Sequence, residues 1–561
     1  MSRRRGVFEV QVYSKDHWVI DSSQDDEAAA ITYARAQVRQ GRADGVRVLK
    51  QWFRADGAVV ETEIFTEWRP RSNHITIQSV EEAHRCESLG EYYEDDARLV
   101  MGRVLRNYLE QVVVTPTELL HSYSELKRLR DKDSLMASAL GHVAQVQAGP
   151  EAGRRREEMF NVLERVTERA RLASKRELPA VRSTGFGHLH RELAAKVADE
   201  EADYLALVAL SRELVCHRNW SLKLGFLLGI LAGESGIDAE SAALVDGVIA
   251  DVLGSASVVQ EILGPQPNLA AAIMALADLA DGRLDTSRRN ADDFAITLNS
   301  LFAAGRLPQT RRVALDWVRR QLKGSQPLNR IEPAREMDTF RGLVQRLVGP
   351  GGVVGGGAVA EGLTLRRLAF QEEGGTLGRQ KAINGLIEML PDGGNRLRYL
   401  LALLDSNLGR QFGDHIRTRI DGLFANPALF FAVHRPAREN LDRSAVLWRE
   451  ISAMASSEDA AAAAADRLDE MLVQYIEQNR IVERLDDPQA SLRIRAVRLV
   501  QLCASGAVPS PKALAIARKR IVGLLRQPNF DREFVADIPD PAARNQALKE
   551  FYDLLFAAGF R

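Results

Sequence analysis

Two hydrophobic periods divide this chain. Between Phe8 and Phe65 apolar residues recur every second position; beyond Tyr92 they recur three and four apart. Alternation by two marks half-buried strands, and spacing by three and four marks one face of a helix. In the first stretch Phe8, Val10 and Val12 alternate, and Ser14-Lys15-Asp16 turns the chain into His17-Trp18-Val19-Ile20. Ser23, Asp25, Asp26 and Glu27 then bring oxygens and negative charge to the free amides of a helix start. Ile31, Ala34 and Val38 share the inner face of that helix, and Gly41 suits its stop. Val46 and Val48 open a third strand. Asp56-Gly57 tolerates the positive φ of a hairpin turn, and Val59 to Phe65 returns as a fourth strand. The pattern predicts a ββαββ module over residues 1–70, a four-stranded antiparallel sheet carrying one helix. Trp18, Trp52 or Trp68 falls on its open face.

After Arg69–His74, which has the composition of a linker, the helical period takes over. Apolar positions predict a helix over 92–112. Thr115-Pro116-Thr117-Glu118 is a capping box with Pro at the first helical position, and it starts the next helix. A third, over 133–147, completes a small bundle in 71–150. Residues 154–176 mix both charges along a solvated helix. Residues 188–282 are the most apolar, with buried helices at 204–215, 222–231, 242–263 and 269–279, inside a helical domain spanning 151–348. Arg312, Asp316 and Arg320 follow i,i+4 spacing and predict pairing along a helix surface. The glycine-rich run over 349–358 predicts a flexible joint.

From 359 to 561 helix follows helix, and a two-helix pattern is written twice. Arg396-Leu397-Arg398, Gly409 and Arg419 to Pro427 make the first copy; Arg493-Ile494-Arg495, Gly506 and Arg520 to Pro528 make the second. Such repetition resembles stacked helical hairpins of the α-solenoid kind, HEAT-like only in the generic sense of paired antiparallel helices. The expected fold is therefore mainly α, with a small α+β module in front. The final helix, over 541–557, carries Leu548, Phe551, Leu554 and Leu555 on one stripe and should cap the array or dock on a partner.

Composition narrows the setting. A chain of 561 residues exceeds one core and predicts about three to four domains. A net charge of −1 gives no global attraction to nucleic acid or anionic lipid. Abundant Arg, Ala and Gly are read as the coding bias of a GC-rich bacterial genome. The cysteines, Cys86, Cys216 and Cys503, lack ligand or disulfide spacing, so no metal framework is expected. The basic start leads into a strand rather than a signal sequence. The longest apolar run, Leu222 to Ala232, is interrupted by Lys223 and is too short to span a bilayer. A cytoplasmic protein is expected.

Candidate chemistry is sparse. The glycine-rich run lacks the Gly-Lys-Ser/Thr and GxGxxG spacings of phosphate loops, and neither HExxH nor GxSxG occurs. His188 and His190, with His217 brought near by folding, are the weak metal candidates; at a helix start residues two apart diverge, so no metal and no cofactor is expected. The best binding candidate is a basic C-terminal face. Lys512, Lys519 and Arg526 repeat every seven residues, with Arg495 and Arg498 on the preceding helix. That face fits an acidic protein partner; its ordinary alternative is a solvated surface. Aromatic residues are not interleaved, which disfavours single-strand stacking, and the neutral charge balance argues against nucleic acid. The leading reading is a non-enzymatic scaffold or adaptor. Its alternatives are an enzyme or small-ligand sensor with a pocket in 188–282, and a nucleic-acid-associated protein using the basic face.

Overall fold

The computed structural model describes residues 7–14, 17–39, 45–53, 59–68, 76–233, 237–287, 289–290, 293–371, 374–454 and 459–560. It is mainly helical, with a small antiparallel sheet at the front, and divides into two compact units, Met1–Ile77 and Gln78–Arg561.

In the first unit, β1 (Val7–Ser14), β2 (His17–Gln24), β3 (Gly45–Phe53) and β4 (Val59–Trp68) form a sheet of order β2-β1-β3-β4. All neighbours are antiparallel, and Val10 pairs with Val48 and Val12 with Val46. Alternation puts Phe8, Val10, Val46 and Val48 on one face, where they are buried against Ala30, Ala34 and Val38 of the helix Glu27–Arg39. On the sheet, Trp18 meets Tyr13 edge-on at 5.2 Å and lies under the Arg47 guanidinium at 4.6 Å. The expected turns at Lys15-Asp16 and Asp56-Gly57, the stop at Gly41, the linker at 69–74 and the side chains of Trp52 and Trp68 lie outside the described residues.

The second unit is helical, and one buried apolar cluster runs through it from Ala173 to Ala558. Three expected helices are divided. The stretch 92–112 breaks at Leu105, between Asp95–Val104 and Arg106–Val112. The helix begun by the capping box ends at His121, and Tyr123–Arg130 follows. The stretch 242–263 becomes Ala239–Leu253 and Ala256–Leu263, bent by 94° at Gly254-Ser255. Apolar periodicity continues across such breaks, because both pieces bury a stripe in the same core. No single helix among the described residues is long and apolar enough to cross a membrane.

The glycine-rich run takes an ordered place in this unit. Val348–Gly349 pairs with Gly352–Val353 as a two-residue ladder, and a helix starts at Gly356. The Gly351 amide donates to Glu450 Oε1 at 2.8 Å. A Cβ on Gly357 would stand 2.7 Å from the carbonyl oxygens of Ala402 and Asp405. Here glycine allows helices to touch, where the sequence suggests only freedom.

Both copies of the two-helix pattern are packed helix pairs: Gly393–Leu404 with Asn407–Phe424, and Leu492–Ala504 with Pro511–Leu525. Their glycines are not equivalent. Gly506 lies between helices at φ 67°, whereas Gly409 lies inside the first turn of a helix. A Cβ on Gly409 would collide with the backbone oxygens of Leu403 and Leu404 at 2.3 and 2.2 Å. Gly409→Ala should therefore lower stability by about 1–3 kcal/mol, as overpacking does. Gly523→Ala, at a helical position where a Cβ meets nothing within 4 Å, should gain up to about 1 kcal/mol. Urea denaturation midpoints of the two variants compare them directly; equal shifts would remove the steric role of Gly409.

The last helix, Pro541–Ala557, buries Phe551 and Leu555. Phe551 sits 4.5 Å from the Phe534 ring, closing the array as an end cap.

Candidate functional site

The short helix Pro116–His121 is the floor of a region where charge is buried deeply and a groove lies beside it. Thr115 Oγ1 accepts from the Glu118 amide at 3.1 Å, and Glu118 Oε2 accepts from the Thr115 amide at 2.8 Å. All six residues of the helix are buried, so its carboxylate and imidazole are interior groups. Lys223 Nζ donates to Glu118 Oε2 at 2.6 Å, with both side chains at 0% exposure. Burial pushes the Glu118 carboxyl up and the Lys223 ammonium down, against their mutual attraction. Asp251 accepts from the Thr117 amide at 2.9 Å and from its hydroxyl at 2.6 Å, and faces Arg98 Nε at 3.3 Å. Asp246 takes the amides of Gln309 and Thr310, free groups at the start of the helix Pro308–Lys323, where negative charge is favoured. These contacts tie the helices of 95–121 to those of 239–253 and 308–323.

Above that floor lies a groove of about 520 Å³, within the range of small-molecule sites. Its base is an aromatic triangle. The His121 ring is 5.4 Å from Tyr93 and 4.9 Å from Tyr204, and the two tyrosines are 5.4 Å apart. His121 Nδ1 donates to the Thr117 carbonyl at 2.7 Å, which leaves Nε2 as the ring's acceptor. Burial pushes the His121 pKa down to about 3, so the ring is neutral at ordinary pH. Burial also pushes the Tyr204 hydroxyl up, and its oxygen is buried without a hydrogen-bond partner among the described residues. The Arg169 guanidinium lies 3.7 Å over the Tyr204 ring and is held by Glu201 at 3.0 Å.

The walls are acidic: Glu94, Asp95, Asp96, Glu200 and Asp203. Each arginine lining the groove already meets a carboxylate. Arg98 meets Asp95 and Asp251, Arg169 meets Glu201, and Arg312 meets Asp96. The side chains of Glu94 and Glu200 form no ion pair among the described residues. The groove therefore presents uncompensated negative charge above hydroxyl and imidazole groups, an arrangement suited to a cation with N–H donors.

One contact beside it has the residue types of a hydrolytic triad. His190 Nδ1 is 2.9 Å from Ser241 Oγ, and His190 Nε2 is 2.7 Å from Asp203 Oδ1. Ser241 is fully buried, and its hydroxyl donates to Asp238 Oδ2 at 3.0 Å. A serine so enclosed offers no nucleophile; the contact positions Asp203 on the groove wall.

The histidines singled out from sequence have separate partners. His188 is exposed and pairs with Glu192 at 3.2 Å, while His190 faces Asp203. His217 lies 2.8 Å from Arg182 Nη2, and burial together with Arg182 pushes its pKa below the usual imidazole range. Among the described residues no group of three or more His, Cys, Asp or Glu could hold a metal.

On the basic face, Lys512, Lys519 and Arg526 are all exposed. Acids from neighbouring segments answer part of it. Lys512 Nζ pairs with Glu470 at 2.9 Å, and Arg495 shares the buried Asp486 with Arg520. Lys519, Arg498 and Arg526 form no ion pair among the described residues. Asp316 and Arg320 pair at 2.9 Å as their spacing predicts, whereas Arg312 turns to Asp96.

Sequence reasoning placed Glu118 in its capping box, as the structure has it, but missed its pairing with Lys223, the roles of His121 and Asp251, and the acidic wall. One signal was present: Lys223 interrupts the longest apolar run, and a lysine buried there requires a buried partner. Comparison of the chain with known protein families, curated proteins and solved structures finds no match.

Proposed function

We propose that this chain is a non-enzymatic helical scaffold that holds a protein partner by seating one of the partner's Lys or Arg side chains in the acidic groove lined by Glu94 and Glu200. The observation that carries this reading is the charge balance. Every arginine of the groove is paired, while Glu94 and Glu200 form no ion pair among the described residues. Glu94, Glu200 and the His121 ring all line this groove. The basic face at Lys519, Arg526 and Arg498 is a second contact area in this scheme, fitted to an acidic part of the same partner. A cytoplasmic setting accords with three cysteines that are all free.

The test is co-purification from the native cells, with stoichiometric companions identified by mass spectrometry. A defined companion should be lost with Glu94→Gln/Glu200→Gln and reduced, but still present, with Lys519→Glu/Arg526→Glu. The opposite pattern would move recognition to the basic face, and no companion at all would sink the scaffold reading. A second reading, a small-ligand sensor or enzyme, draws on the neutral His121 Nε2 at the base of the groove. A bound small molecule released on denaturation of the purified chain would favour it.

A further inference from the structure

The bundle that precedes the groove holds a separate apolar cavity of about 130 Å³. Met101, Leu120, Leu129, Met136, Ala139 and Met159 are among its lining residues. Protein interiors are close-packed, and native voids larger than a water molecule are few. A cavity fills with water only if its walls offer a water two to four polar partners. These walls are chiefly aliphatic, and their polar residues, His84, Cys86, Tyr92 and Gln147, stand together at one edge. Arg155, itself buried, donates to the Cys86 carbonyl and the Tyr92 hydroxyl at 3.1 Å, and to Gln147 Oε1 at 2.8 Å. Gln147 Nε2 in turn donates to the His84 carbonyl at 2.6 Å. Arg155 thus holds the Tyr92 hydroxyl and the Gln147 side chain at that edge.

We infer that this cavity is a binding site for a compact, uncharged hydrocarbon group of about six to seven carbons, an aryl ring or the end of an alkyl chain. The size follows from volume, because an engineered apolar cavity of about 150 Å³ in another protein stays dry and accepts benzene. The uncharged character follows from the apolar lining, since a charge buried there would find no counter-charge among Met101, Leu120, Leu129 and their neighbours. Met101, Met136 and Met159 are unbranched thioethers that adapt to an irregular guest and make favourable sulfur–aromatic contacts.

Benzene is the probe, titrated into the full chain and read by calorimetry and by the thermal midpoint. Saturable one-to-one binding that raises the midpoint is expected, at least tenfold weaker in Ala139→Leu, which fills the cavity. Leu222→Ala, at an exposed leucine outside the cavity, should bind as the wild type does. Should Ala139→Leu fail to fold, crystals of the wild type under xenon decide instead. Xenon density between Met101, Leu120 and Met136 supports the site. Absence of saturable benzene binding, equal affinity in a folded Ala139→Leu, or crystals without xenon there overturns it.

Discussion

Lys223→Met is expected to destabilise the helical unit by about 3–5 kcal/mol, the cost of leaving a buried carboxylate without its counter-charge. Glu118 has no access to water, and its other contact is the capping bond to the Thr115 amide. Removing the ammonium leaves the carboxylate to take up a proton or to draw water into the core. Adding Glu118→Gln to Lys223→Met should recover most of the loss, because the amide oxygen still accepts from Thr115 and no charge remains. Urea denaturation followed by helical circular dichroism measures both. A single variant as stable as the wild type, or a double variant no better than the single, would contradict an interior ion pair.

The second large effect is on acid stability and belongs to His121. Its folded pKa, about 3, lies below the ordinary histidine value of 6.5. Between those values the unfolded chain binds a proton that the folded chain refuses. The contribution of His121 is therefore complete above about pH 6.5 and is lost as pH falls toward 3. At 1.36 kcal/mol per unit, the loss from pH 7 to pH 4 is about 3 kcal/mol. Carboxylates titrate in the same window, so the informative quantity is the difference between the pH profiles of wild type and His121→Gln. The variant should lose less stability on acidification. Parallel profiles from pH 7 to pH 4 would show that His121 takes up its proton without cost to the fold.

The two residues also show how far the sequence could be read. Secondary structure was legible where periodicity is strong. Val10 and Val12 pair across to Val48 and Val46, and Phe551 buries as its stripe requires. The mainly helical body and the small α+β module follow from such local patterns. The breaks at Leu105 and Gly254 were hidden because the apolar stripe continues past them. The candidate groove was hidden for a different reason. Its contacts join residues far apart in the chain, as Glu118 and Lys223 or Arg98 and Asp251 do, and no local spacing encodes those meetings. Conversely, a regular spacing of cations at Lys512, Lys519 and Arg526 could be seen, but not Glu470, which answers Lys512 from another helix. Charge patterns along one helix describe its surface before its neighbours arrive.

The most direct test of a cation-seating groove is equilibrium binding of a set of immobilised peptides that differ only in bearing Lys or Arg, Gln, or Glu at one position. The groove predicts binding of the Lys and Arg peptides, weakened at least tenfold by Glu94→Gln/Glu200→Gln and further weakened by salt. Preference for the Glu peptides, or Lys and Arg binding indifferent to both groove substitutions, would contradict it.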